Sequence, residues 1–161
     1  MRQLLLISIL ILNYYVNAQY YKDSVFHLIK SLVNSNTSVV RTKNLDSAAA
    51  LHANYLIANK TSGHFEPEYK STNRPMQRAE KFGDWGMGIY EVCWSGIPSN
   101  LTPNTIEGSI NLFKNSEKHW YIMTKAVSNH TMIRFGYSFI QTQDWVACVI
   151  IYSTGPQVKP K

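Results

Sequence analysis

The 161-residue chain is poor in cysteine, with only Cys93 and Cys148. That excludes a small scaffold held together by a dense disulfide framework. Charge is also sparse: 16% of residues are charged, and the basic excess of 16 over 10 is spread thinly, with no run of Lys or Arg. Nucleic-acid recognition needs a concentrated basic patch, so no nucleic-acid partner is expected. There is no second long apolar run beyond the N-terminus, so no transmembrane segment is expected in the mature chain. No internal repeat is visible, and no low-complexity tract precedes the Pro/Lys-rich end. Hydrophobic content of 45% and aromatic content of 12% exclude disorder.

The N-terminus carries a targeting pattern. Met1-Arg2 gives a positive start, Leu4 to Leu12 is apolar apart from Ser8, and Val16-Asn17-Ala18 stands where a secretory signal is cut. The run is too short for a bilayer, which needs about 20 residues. The absence of cysteine at the cleavage point argues against a lipid anchor. The organisation expected is a signal peptide over 1–18, one domain over 19–154 and a flexible tail over 155–161, in a secreted protein (periplasmic if bacterial). In such a compartment Cys93 and Cys148 either pair or pack as separate buried thiols, and both alternatives stay open. Four sequons, at Asn36, Asn59, Asn100 and Asn129, do not decide the source kingdom.

Hydrophobic periodicity supplies the elements. Tyr21, Val25, Leu28, Ile29 and Leu32 predict a first amphipathic helix, broken at Asn34-Ser35-Asn36. A second helix fits 45–58, with Leu45, Ala48, Ala49, His52, Tyr55 and Leu56 on one face. Pro75 to Phe82 reads as a short helix stopped by Gly83. Ile89 to Ser95 reads as a strand. Thr102-Pro103 predicts the start of a third long helix, with Ile106, Ile110 and Phe113 as its stripe and Ser116-Glu117-Lys118-His119 as its end. Strands over 132–140 and 145–152 form a terminal hairpin through 141–144. This order suits an α+β fold, a three-layer α-β-α sandwich with a small antiparallel sheet between helices.

Against that frame, Glu91 is the most informative residue. A carboxylate among Ile89, Tyr90, Val92, Cys93 and Trp94 destabilises a strand unless it is paired or faces a cleft. The alternative is an edge-strand Glu turned to solvent. His64 follows the second helix directly. Ser116 and His119 are three residues apart, the spacing of one helix face. His27, His52 and His130 are competing histidines, His52 being expected as a packed core residue.

The segments "HANYLIAN", "SGHF", "RPMQRAEKFG", "YEV", "LFKNSEKHW", "FGYSF" and "DWVACVIIY" follow one another in an order that resembles the CAP superfamily. That superfamily comprises cysteine-rich secretory proteins, antigen five and pathogenesis-related proteins. The similarity is greatest to its short, single-domain bacterial SCP-like branch and covers roughly Leu45 to Tyr152. The resemblance implies a cleft in which His64 and His119 match the two family histidines, Glu91 the glutamate of "GEN" and Ser116 the serine of "SxxH". The chain departs from the pattern at Tyr90 and Val92, which replace the "GEN" glycine and asparagine. It departs also at Phe113, in place of a tryptophan, and keeps only Gly136 of "GxG". Glu107 and Glu117 are the candidates for a second acidic cleft residue.

The function implied is that of a secreted binding protein. His64, His119 and Glu91 would hold a divalent metal such as Zn2+, with an unknown small molecule, lipid or extracellular protein as ligand. The alternative is a secreted hydrolase or peptidase using His64, Glu91, Ser116 and His119 as its catalytic candidates. A third alternative is a structural or adhesive surface protein whose cleft is vestigial.

Overall fold

A computed structural model describes residues 24–99, 103–127 and 129–158. The expected signal peptide, Tyr21, Thr102 and the Asn100 sequon lie outside those residues. The first helix, α1 (24–31), buries Val25 and Ile29 completely, as its stripe predicts. β1 (Ser38–Arg41) follows, then α2 (Lys43–Asn59), α3 (Pro75–Lys81), β2 (Gly86–Gly96), α4 (Ile106–Lys114) and α5 (Glu117–Tyr121). A π-helical turn over Ile122–Ala126 extends α5, and β3 (Met132–Gln141) and β4 (Val146–Gln157) complete the fold.

The sheet runs β1-β3-β4-β2. β4 pairs antiparallel with both β2 and β3, while β1 pairs parallel with β3. The expected three-layer α+β arrangement is present, with a sheet that is mixed rather than purely antiparallel. The difference is β1, whose four residues are too few to show a period.

β4 organises the layers. Its alternate residues Ala147, Val149 and Ile151 pack with α2 and α3, and Cys148, Ile150 and Tyr152 pack with α1 and α4. All six are buried, which explains why this strand reads as a continuous apolar run. α2 starts at Thr42, whose hydroxyl accepts from the Leu45 amide, and ends at Lys60 in the left-handed region (φ 47°). Its buried face is Leu45, Ala48, Ala49, His52, Ala53 and Leu56. Tyr55 stays half-buried and Ala53 takes the place expected for it. Small residues let α2 lie close to the sheet, and at Gly136 the contact is closest: a Cβ there would collide with the Leu45–Asp46 backbone. The retained "GxG" glycine therefore admits α2.

Three boundaries differ from expectation. α4 begins at Ile106 with Thr105 as its cap, because the Thr105 hydroxyl accepts from the Gly108 amide at 3.0 Å. α4 stops at Lys114, and Ser116 opens α5 instead of closing α4. β4 runs through 155–157, inside the expected tail, because β2 begins at Gly86 and supplies a partner for Gln157.

The cysteine question also closes here. Both thiols are buried and free. Cys93 belongs to the α2–α3 layer and Cys148 to the opposite one, with Trp94 rather than Cys93 across from Cys148.

Candidate functional site

β2 is a sheet edge, and Glu91 sits on it among apolar neighbours on the side covered by α2 and α3. Its carboxylate is buried, 4% exposed, and paired. Oε2 accepts from Arg78 at 2.7 Å and Oε1 lies 3.0 Å from Nδ1 of His64. Burial alone would raise the Glu91 pKa. The His64 hydrogen bond and the charges of His52 and Arg78 outweigh it and hold the carboxyl below the usual range.

Arg78, fully buried on α3, ties this carboxylate to the loop after α2. Its guanidinium donates to the carbonyls of Thr72 (3.0 Å), Asn73 (3.3 Å) and His64 (3.1 Å). It also lies 3.4 Å from Glu66 Oε1. Glu66, itself buried, accepts from Nδ1 of His52 at 2.9 Å, and Nε2 of His52 faces the Gly63 carbonyl at 2.9 Å. Both nitrogens of His52 thus face oxygen acceptors. His52 is a packed core residue, as its helix face predicts, but a polar one that pins the loop.

His64 occupies the boundary between this network and solvent, its side chain 40% exposed. With Nδ1 directed at Glu91, Nε2 is the nitrogen left for a ligand. His119, on α5 in the other layer, packs edge-on against Phe113 with ring centroids 5.0 Å apart. Burial lowers its pKa, and the charge of nearby His64 lowers it further. Glu91 and His64 are therefore joined directly, and His119 stands within electrostatic range of His64. Ser116 lies at the N-terminal boundary of α5, and among the described residues no hydrogen bond joins it to His119. Glu117 is exposed, while Glu107 accepts from Ser24 at 2.6 Å on the far layer.

Cys93 adds a sulfur to the same place. Its Sγ lies 3.3 Å from the Gly63 carbonyl and 3.4 Å from Nδ1 of His64. Burial pushes its pKa up, so it is a neutral thiol. Ligand atoms of His52, Glu91 and Cys93 lie within 4.8 Å of one another, a buried group that could hold a metal ion. As folded, each of these residues is hydrogen-bonded inside the protein.

Sequence reasoning found Glu91, His64 and His119 but gave no roles to Arg78, Glu66 or Cys93. A signal for Arg78 existed: a carboxylate buried in a strand demands a cation, and Arg78 shares the short helix 75–82 with the apolar Ala79. A second buried network went unseen. Arg134 binds Asp84 at 3.1 Å and Ser153 at 2.8 Å, and Gln157 reaches Asp84 at 3.1 Å. It joins β3, β4 and the start of β2.

No protein-family sequence model matches the chain, and no curated protein matches it in sequence. Solved structures do. An outer surface protein of Borrelia burgdorferi superposes with TM-score 0.60 at 21% identity, over 85% of this chain and 90% of that one. An extracellular protein of Bacillus anthracis containing an SCP domain superposes with TM-score 0.57 at 14% identity. That match covers 80% of this chain and 39% of the other. The fold is SCP/CAP-like. Among the described residues no helix is long and apolar enough to cross a membrane.

Proposed function

We propose that this SCP/CAP-like chain is a secreted binding protein whose cleft, at the β2 edge of the sheet, takes a divalent metal ion or small ligand on His64 and His119. Glu91 acts there as a positioning carboxylate. The observation that carries the reading is the 3.0 Å contact between Nδ1 of His64 and buried Glu91. A carboxylate on one imidazole nitrogen fixes the tautomer and turns the other nitrogen outward as a ligand. The lowered pKa of His119 favours the neutral imidazole that metals require. Imidazole nitrogen is a ligand that zinc takes, and zinc in an open site acts as a Lewis acid at the position the protein leaves free. Export rests on the N-terminal pattern at 1–18, and an extracellular location is supported by the settings named for the two similar structures. With Ser116 at a helix boundary, no observation favours the hydrolase reading.

Equilibrium dialysis with zinc tests the site and separates it from the inner group. His64→Ala and His119→Ala should each abolish stoichiometric zinc binding, and Cys93→Ser should keep it. Loss of zinc in Cys93→Ser with retention in His119→Ala would move the ion to His52, Glu91 and Cys93.

A further inference from the structure

On the outer flank of α2, two concavities of about 370 and 480 Å³ share Tyr55 and Asn59 as a common wall. Each is within the size range of small-molecule sites. Together they form a groove between α2 and the loop 61–72, running from His64 and Phe65 at one end to Tyr69 and Lys81 at the other. Of its lining, His64, at one end, belongs to the proposed metal site, and the remaining residues are not used by it.

The lining restricts what can bind. Phe65 and Tyr69 are 59% and 55% exposed, so large aromatic surface faces solvent at both ends. Tyr55 stands between them, its ring edge-on to Tyr69 at 6.0 Å and its hydroxyl donating to Glu68 at 2.7 Å. Asn54 and Asn59 each donate one amide N–H to the α2 backbone at 2.8 and 3.0 Å, leaving the carbonyl oxygen and the second N–H as the groups each offers. Ser71 and Thr72 add hydroxyls. Charge is mixed: Glu66 is occupied by His52 and Arg78, Glu68 accepts from Tyr55 in one concavity, and Lys81 lines the other. Lys81 is the one Lys or Arg of the lining, so an anionic ligand meets a single cation rather than a cluster of them. The loop backbone is largely spent: the Glu66, Tyr69 and Thr72 amides and the Thr61, Gly63 and His64 carbonyls are bonded internally. An extended peptide would find no row of free backbone groups to pair with. A lipid chain would give no hydrogen bond to the amides of Asn54 and Asn59, the Ser71 hydroxyl or the Glu68 carboxylate beside the apolar surface.

The geometry points to a neutral saccharide chain as the ligand of this groove. A sugar ring presents a C–H face to an aromatic surface and a rim of hydroxyls that donate to amide and carboxylate oxygens and accept from hydroxyls. Phe65 and Tyr69 supply the stacking faces, and Asn54, Asn59 and Glu68 the acceptors. A proline-rich helix also favours aromatic grooves, but it has almost no N–H groups to give these acceptors.

Titration of the full chain with cellotetraose and with chitotetraose, followed by NMR, tests the assignment. At least one should saturate with a dissociation constant of about 1 mM or below. Tyr69→Ala and Phe65→Ala, both at exposed positions, should each weaken it about tenfold or more with unchanged thermal melts. Leu112→Ala, an exposed apolar change on α4, should not weaken it, and neither should a chelator. Failure of both sugars to saturate, or binding indifferent to Tyr69 and Phe65, would overturn the assignment. So would an octaproline peptide binding the groove more tightly than either sugar.

Discussion

At the scale of single residues, Glu91 sets the chemistry of its surroundings. Burying a carboxylate is tolerable because Arg78 and His64 both bind it, and removal of one partner leaves a charge uncompensated. Arg78→Leu should therefore destabilise the fold by about 3–5 kcal/mol in denaturant titrations. Arg78→Lys should rescue little, since one ammonium cannot reach Glu91 and three loop carbonyls at once. Glu91→Gln keeps the shape but weakens the hold on His64, and zinc affinity should fall about 10- to 100-fold. The pH dependence follows from two shifts. Glu91 titrates in the fold below its ordinary 4.5, so its stabilisation is complete above that value and lost as pH falls through the lower folded one. His119 titrates below its ordinary 6.5, so the fold prefers the neutral ring, and stability declines as pH falls through that region. Thermal melts between about pH 8 and pH 4 should show a shallow decline beginning near the histidine range and a steeper one in the carboxylate range. His119→Gln should flatten the first and leave the second.

At the scale of elements, strand alternation decides what side-chain chemistry is possible. β2 and β4 are neighbours, yet their cysteines point into opposite layers, so proximity in the sheet cannot produce a disulfide. Burial raises the Cys93 pKa and pushes that of Cys148 up to about 12. Ellman titration should accordingly find no fast-reacting thiol in the native protein and two after unfolding without reductant. A reading of zero in the unfolded state would reveal a disulfide and contradict the register. The α2–β3 crossing gives a second test. Gly136→Ala places a methyl against the Leu45–Asp46 backbone, and the helix would have to lift. A loss of about 1–3 kcal/mol is expected, with weakening of the Asp46 bond to the Tyr137 amide.

At the scale of the whole molecule, the legible parts of the fold were those with a strong local period. α2 shows its face through Leu45, Ala48, Ala49 and Leu56, and β4 through an unbroken apolar run. β1 was illegible because four residues hold no pattern, and the α4–α5 break because Ser116 fits a helix end as well as a helix start. The site was half legible. Glu91 announced itself as a charge in an apolar strand. Glu66, His52 and Cys93 act through tertiary contacts across 14 to 30 residues, which no local spacing encodes. Outside the described residues, the export proposal expects exported protein to begin at or near Gln19 on N-terminal sequencing, and an intact Met1 on exported protein would contradict it. The central claim is a ligand site shared by His64 and His119 and oriented by Glu91. The most direct test is the zinc-induced shift in melting temperature, measured against pH for the wild-type chain and for His64→Ala. A ligand bound only by the folded state raises stability by mass action. The account predicts a saturable rise near neutral pH that fades in acid as protons compete with the metal for imidazole nitrogen, and none in His64→Ala. An equal rise in His64→Ala, or no rise in the wild-type chain at any pH, would contradict it.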